Sequence, residues 1–512
     1  MVKDQKIKGK IFAGGMMLSK KIRNIAFYTA AAAALIAIFY IYATFSQQYV
    51  GGSDWYGYYQ QALLLKNGHV ALETALPASK YPAIAPLSFY AVNGKVVGQY
   101  PPGFPLLMAA AGSAFAGLEF YVNPALGVLS VILMFLTIFS LTGNDKWTAG
   151  LFALLWAFFP LTVYGSTYVM SDLPAAFFIL LAFYLLKIKK TIPSALALAF
   201  SLAVRPTNVL FCAVFLPLVY KELNVKQRWQ YGSWFGAAGS LYAIYNWLVY
   251  GAPWKTGYLD LSNNLSTSFF ARNLGFYSGE TLLQFTPLLA LLALIALWKK
   301  EKHALFFAAW FLAFLIFYCF WASFFDIWWW LRFLLPGFPA LFLLAALGFK
   351  RILTAIRLQN RFPKQAVSIL LVATVLFAGI FFIYRGIRYS ELWTKDKGKL
   401  FYVISKKVAK KIAPGGMVGC CEFSGPLRIY ANIESFGFFH MNSLFLISDM
   451  LKEGKPVYLV VEPWQKKNLG LKAIFKNFRV RKITDVGIDA WTEFYLYRVL
   501  AQKQQVLDIP PL

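Results

Sequence analysis

The chain has 512 residues, 59% hydrophobic and 14% charged, with a mean hydropathy of +0.56 and a formal charge of +28. That balance excludes a water-soluble globule, because too few polar side chains remain to cover one, and it leaves the covering to lipid. The Lys and Arg surplus lies between apolar runs, so it reads as a topological signal and a contact with anionic headgroups, not as a nucleic-acid surface.

Residues 1–24 carry Lys3, Lys6, Lys8, Lys10, Lys20, Lys21 and Arg23, which predict a cytoplasmic N-terminus. Ile25–Phe45 is longer than the apolar region of a secretory signal and has no small-residue cleavage site before Gln47, so it reads as a retained first span. The segment from Ser46 to Leu118 then lies outside. In it, Ser53-Asp54 ahead of Trp55, Tyr58, Tyr59, Ala62 and Leu63 predicts an N-capped amphipathic helix along the membrane surface. Leu106–Phe115 is too short to cross and predicts a second helix dipping into the outer interface.

Further spans are expected at Phe120–Leu141, Trp147–Tyr164, Pro174–Leu186, Ile192–Val204, Thr207–Val219, Trp229–Val249, Thr281–Trp298, Ala304–Phe320, Phe333–Phe349 and Ala366–Tyr384, about eleven in all. Basic loops at Lys146, Lys187–Lys190, Lys221–Arg228, Lys299–Lys302 and Lys350–Lys364 alternate with loops that carry few cations, as that threading demands. Arg205-Pro206 then falls at the outer turn of two short spans or of a re-entrant pair. After Tyr384 the composition becomes that of a soluble protein. Lys399–Ile412 and Leu444–Lys452 read as helices and Met417–Phe423, Pro456–Val461 and Thr492–Val499 as strands. The expected fold is therefore an α-helical polytopic membrane unit, residues 25–385 with the outer loop 46–118, followed by a small extracytoplasmic α/β soluble domain over 386–512.

Neither a GxGxxG nor a P-loop is present, so nucleotide binding is not supported. Cys212 and Cys319 sit in apolar runs, and the adjacent Cys420 and Cys421 read as buried strand residues; no disulfide framework or zinc spacing appears. The spans are almost free of ionisable residues, which argues against a coupled transporter. The polar groups gather instead at outer loop ends: Asp54, Glu73, Asp172, Arg205, Lys255, Asp260, Arg272, Glu280, Asp326 and Arg332. Acids and arginines on one face beside lipid suit a reaction on a phosphorylated lipid, in which a carboxylate takes the proton of an acceptor hydroxyl and a cation stabilises the departing phosphate. Plainer roles stand beside these. Asp54 caps a helix; Ser171 or Asp172 caps the span at Pro174; Arg205 and Arg332 snorkel to headgroups; Trp328–Trp330 form an aromatic belt. His69, His303 and His440 are isolated.

Six segments in order carry a family resemblance: GGSDWYGYYQ at 51–60, QYPPGFPLLM at 99–108, YVMSDLP at 168–174, LAVRPTN at 202–208, YGAPWKTGY at 250–258 and WLRFLLP at 330–336. Together they resemble the GT-C membrane glycosyltransferases, and within them the family 39 branch of protein mannosyltransferases and lipid A aminoarabinose transferases, over residues 25 to about 385. The resemblance implies a polyprenyl-phosphate sugar donor, a lipid, glycan or protein acceptor on the outer side, and inversion at the anomeric centre. It aligns Asp54 with a first-loop aspartate that acts as base or orients the acceptor, Asp172 with a second outer acid, and Arg205 and Arg332 with positions near the donor phosphate. Asp54 and Asp172 are thus the catalytic candidates. Arg205, Arg332, Lys255, Tyr258, Tyr59 and Tyr100 are the substrate-binding candidates. Trp55 stands where relatives often carry a second acid, and His69 and Glu73 make no metal site, so no ligand is assigned and a divalent metal is left open. A lipid-linked sugar flippase and a non-catalytic envelope scaffold are the rival readings.

Overall fold

Long apolar runs with helical periodicity bury their backbone polar groups in intrahelical bonds, the condition for crossing lipid. The computed structural model describes residues 2–258, 264–322, 327–358, 364–388, 390–438, 442–487 and 493–503. In chain order the helices are α1 Val2–Thr44, α2 Asp54–Lys66, α3 Gly103–Ala114, α4 Val122–Leu141, α5 Lys146–Phe158, α6 Pro160–Thr167, α7 Asp172–Lys187, α8 Thr191–Val204, α9 Val209–Glu222 and α10 Val225–Tyr250. There follow α11 Phe270–Phe285, α12 Pro287–Trp298, α13 Ala304–Cys319, α14 Phe338–Leu358, α15 Lys364–Arg388, α16 Lys399–Ala409, α17 Ser424–Ala431, α18 Ser443–Lys452 and α19 Leu469–Asn477. Among the described residues three helical segments, Asn24–Thr44, Leu118–Leu141 and Phe338–Ile356, are long and apolar enough to cross a membrane singly, and up to five spans result if each bent pair counts as one.

Two expected spans are broken. Trp147–Tyr164 is α5 and α6, bent by 60° where Pro160 follows Phe159, since proline cannot donate to the preceding turn. Thr281–Trp298 begins instead at Pro287, after a 99° bend from α11, and Thr286 sits there with φ +69°. The helices of the membrane region share one large core in which Trp156, Trp310, Phe159 and Phe342 are fully buried.

The outer loop holds α2, α3 and a small antiparallel sheet of β1 Ala71–Leu72, β2 Phe89–Val92 and β3 Lys95–Gly98, ordered β1-β3-β2. Its hairpin turns at Asn93-Gly94, both at positive φ, the geometry that matches strand twist. The C-terminal segment forms a five-stranded sheet from β4 Met417–Cys420, β5 Ser435–Gly437, β6 Val457–Val461, β7 Phe478–Asp485 and β8 Tyr495–Gln502. The order is β5-β4-β6-β8-β7. The first three are parallel, and β8 is antiparallel to both its neighbours.

The core of that segment is continuous with the outer loop. Tyr56, Ala78, Tyr81, Ile84, Phe89 and Val96 of the outer loop pack in one cluster with Val418, Leu427, Phe436 and Leu459. Lys397 fastens the connection: its buried ammonium donates to the Phe45 and Leu392 carbonyls (2.9 and 3.1 Å) and to Thr167 Oγ1 (2.9 Å). The sheet is thereby held over the end of the bundle that carries α2.

Candidate active site

Asp54 opens α2, and the expected cap is not what its carboxylate does. Ser53 precedes it in helical geometry with no side-chain bond to the helix backbone. Oδ1 of Asp54 instead accepts from the Tyr100 hydroxyl (2.6 Å) and Ser53 Oγ (3.2 Å), and Oδ2 accepts from Arg332 Nη2 (2.7 Å). Burial pushes the Asp54 carboxyl up, but Arg332, Tyr100 and Ser53 together outweigh it and hold the group below its ordinary value, so it is ionised at neutral pH. Burial beside the Asp54 charge keeps the Tyr100 phenol well above its ordinary value and therefore protonated.

Asp172 opens α7 in the same way and also declines the cap: Ser171 makes no cap bond, and its hydroxyl meets that of Tyr58 (2.7 Å). Arg205 Nη1 donates to Asp172 Oδ1 (2.5 Å), Nε to Thr207 Oγ1 (3.3 Å) and Nη2 to the Tyr318 hydroxyl (3.3 Å). The two pairs form one cluster. Both guanidiniums lie over the Phe333 ring, 5.3 Å for Arg205 and 5.2 Å for Arg332, and Tyr58 and Tyr100, which reach Ser171 and Asp54, stack at 4.0 Å. Tyr258 stands edge-on to Tyr100 at 6.2 Å. Six expected residues, Asp54, Asp172, Arg205, Arg332, Tyr100 and Tyr258, are thus brought together.

Close approaches make the convergence sterically feasible. A Cβ on Gly57 would fall 2.4 Å from the Tyr100 ring, and one on Gly103 would fall 2.6 Å from the backbone of Ala203 and Val204, just before Arg205. Exposure separates the four charged groups. Arg205, Arg332 and Asp172 are buried, whereas the Asp54 side chain keeps 30% of its surface. The buried Nε of Arg332 has no hydrogen-bond partner among the described residues, and Nη1 meets the weak acceptor Met170 Sδ (2.6 Å).

Two expected residues do not join. Tyr59 stacks on Phe120 at 5.2 Å, and Lys255 lies exposed in the turn after α10, with no described side-chain bond. Asp260, Asp326 and His440 lie outside the described residues. Trp329 is more than belt, since the Arg332 guanidinium lies 4.9 Å from its ring. Among the described residues no three His, Cys, Asp or Glu side chains gather as a metal site.

Sequence reasoning missed Ser88, Phe333, Tyr318 and Glu422. Ser88, buried at φ +69°, donates to the Ser53 carbonyl (2.7 Å) and meets the Tyr100 hydroxyl (3.3 Å). Glu422 follows β4 at the carboxyl end of a parallel strand, where α/β sheets place ligand-binding groups, and that position was its readable signal. Burial, with Glu462 and Asp54 nearby, pushes its carboxyl up to about 7.

Residues 113–204 match the family model described as dolichyl-phosphate-mannose-protein mannosyltransferase. No curated protein matches the sequence. Among solved structures, ArnT from Cupriavidus metallidurans in the apo state aligns with a TM-score of 0.57 at 13% identity, over 93% of this chain and 97% of that one. The same protein bound to undecaprenyl phosphate aligns with a TM-score of 0.58 at 12% identity, over 92% and 98%. Arabinofuranosyltransferase AftD from Mycobacteria aligns with a TM-score of 0.51 at 13% identity, over 91% of this chain but 41% of AftD. The chain thus shares its fold with ArnT along nine-tenths of its length, and the segment similar to the mannosyltransferase family model lies inside the bundle and includes Asp172.

Proposed function

We propose that the chain transfers a sugar from a polyprenyl-phosphate donor to a hydroxyl on a lipid, glycan or protein acceptor outside the cytoplasm, with inversion at the anomeric carbon. The chain crosses the plasma or inner membrane about eleven times in this reading, the shorter apolar helices crossing beside the five longer spans. The cluster then opens to the periplasmic or extracellular face, and the donor's lipid tail enters from the bilayer.

The observation that carries the reading is the unequal exposure of two linked ion pairs. Asp54, partly open, meets the acceptor, and the buried Arg332 and Arg205 flanking Phe333 meet the donor phosphate. The acceptor oxygen attacks the anomeric carbon as the bond from that carbon to the phosphate oxygen breaks. The hydroxyl proton passes to an Asp54 oxygen, and polyprenyl phosphate leaves with its new charge on the arginines. Because Arg332 and Tyr100 hold Asp54 ionised, it is a weak base. Its main work is to orient the hydroxyl, accepting the proton late as the new bond forms. Asp172 keeps Arg205 aimed and touches no reacting atom. ArnT bound to undecaprenyl phosphate shares the fold, which supports a polyprenyl phosphate here.

The test is reconstitution with labelled polyprenyl-phosphate sugar. Wild-type protein is expected to give a glycosidic product, and Asp54→Asn to give none while inserting normally. Full transfer by that variant, or net movement of label across the bilayer with no product, would overturn the reading.

A further inference from the structure

Between the outer loop and the C-terminal sheet lies a cavity of about 240 Å³. One wall is the irregular segment before and through β2, including Pro86, Ser88 and Tyr90; the other is the carboxyl edge of β4 and β5, with Cys421, Gly437 and Asn442. Cys420 and Gly437 pair as the last residues of these parallel strands, so the cavity sits outside strand carboxyl ends, where open α/β sheets bind ligands. We infer that it is a binding site for one uncharged, hydroxyl-rich ring of the acceptor, a saccharide unit held next to the Tyr100–Asp54 pair on the Ser88 side. This rests on the transferase reading above and adds the class of acceptor.

Four features point to that ligand. Among the described residues no Lys, Arg, Asp or Glu lines the cavity, so these walls do not suit a phosphate or an ammonium. The polar side chains described in its walls are neutral, among them the Ser88 and Ser424 hydroxyls and the amide of Asn442, which makes no described hydrogen bond even though it stands before α18. Tyr90 supplies a half-buried ring whose apolar face suits the C–H face of a sugar. The volume lies below the roughly 300–1,000 Å³ of pockets for drug-sized ligands, and far above the about 30 Å³ of one water, which leaves room for a single ring.

The cavity also connects to the chemistry. Ser88 Oγ lies 3.3 Å from the Tyr100 hydroxyl, and Tyr100 donates to Asp54 (2.6 Å), so a ring bound at Ser88 is separated from the carboxylate by the Tyr100 hydroxyl alone. The positive φ of Ser88 is a strained conformation for a serine, and it is what sets the hydroxyl between the cavity and Tyr100.

The full chain in lipid nanodiscs tests this by ligand-observed saturation-transfer NMR, with methyl hexosides and pentosides as one probe and undecaprenyl phosphate as the other. Gly437→Leu fills the cavity; a Cβ there meets only the Ala83 carbonyl, at 4.0 Å, so the strand accepts a side chain. Asn442→Ala removes one polar group and gives a second variant should the first misfold. The expected result is a glycoside signal that falls at least fivefold in Gly437→Leu and more than twofold in Asn442→Ala, while undecaprenyl phosphate binding stays unchanged in both. Undecaprenyl phosphate binding with no glycoside signal, or a glycoside signal indifferent to both cavity variants, overturns the acceptor site and spares the transferase reading. Cavity-dependent glycoside binding without undecaprenyl phosphate binding does the reverse.

Discussion

Among the described residues three aspartates stand at helix starts in the membrane region, and two ends of the bundle use them oppositely. Asp145, at the far end of α4 from the site, is a working N-cap for α5: its carboxylate accepts from the Trp147 and Thr148 amides and pairs with Lys350. Asp54 and Asp172 open α2 and α7 with no cap bond, and spend their oxygens on arginines 278 and 33 residues away in sequence. A cap stabilises by about 1 kcal/mol. Giving one up twice, while burying arginine charge beside lipid, runs against stability, and such departures concentrate where a site needs the group more than the fold does.

The same substitution at all three positions sharpens that contrast. The largest effect is expected at Asp54→Asn, which keeps the volume and the Tyr100 contact but removes the charge opposite Arg332. Transfer should fall by about 10²–10⁴-fold, the range for a positioned acid–base group, with thermal unfolding little changed. A variant that unfolds early but retains its turnover per folded molecule would make Asp54 a structural residue like Asp145.

Asp172→Asn comes next. It removes the charge that pairs with the buried Arg205 and leaves a neutral amide oxygen beside Thr207 and Tyr318, so on the proposed reading the guanidinium should be held less firmly toward the donor phosphate. A loss of about 10–100-fold is expected, the size of a misplaced positioning group, with KM for the donor raised and KM for the acceptor steady. A change confined to the acceptor would move Asp172 to the other half of the reaction.

How much of this contrast was readable follows from its range. Residues acting within a few positions of themselves were legible: α2, α3 and α8 lie where periodicity put them, and the Asn93-Gly94 hairpin carried a standard signal that the reading passed over. The breaks at Pro160 and Pro287 were also written in the chain, but an unbroken apolar run outweighed a single proline. What hydropathy and capping rules do not encode is partner choice. They allow Asp54 to cap or to reach Arg332, and only the fold of the outer loop decides. Family motifs supplied Asp54, Asp172, Arg205 and Arg332. Ser88, Glu422 and the core shared by loop and sheet lay outside every motif, because they exist only once residues 78–97 dock on β4 and α17.

Glu422 extends the comparison to pH. Its carboxyl has an ordinary value of 4.5 and is pushed to about 7 by burial and by Glu462 and Asp54. Below pH 4.5 it is protonated folded and unfolded. As pH rises toward 7 the unfolded chain loses the proton first, so stability is lost over that interval and stays lost above it. Asp54, held low, has the opposite sign: its contribution is present above its ordinary value of 3.8 and is lost as pH falls below it. Glu422→Gln should therefore recover about 1–2 kcal/mol at pH 8 and nothing at pH 4, allowing for partial exposure. Thermal unfolding at both pH values checks this, and equal pH dependence in variant and wild type would place the strain elsewhere.

The smallest effect is expected at Asp145→Asn, and its smallness is the informative part. Asparagine caps a helix about as well as aspartate, so the carbonyl oxygen can go on accepting from Trp147 and Thr148. What is lost is the charge facing Lys350, whose side chain is 28% exposed and can turn to water or headgroups, so the pair contributes under about 1 kcal/mol. Transfer should be unchanged, and the unfolding midpoint should fall by no more than a few degrees. Asp145→Ala, which removes the cap as well, should cost about 1 kcal/mol more and still spare turnover. If Asp145→Asn instead reduced transfer as strongly as Asp54→Asn, charge at helix starts would matter for the whole bundle, and the division between a capping end and a reacting end would fail.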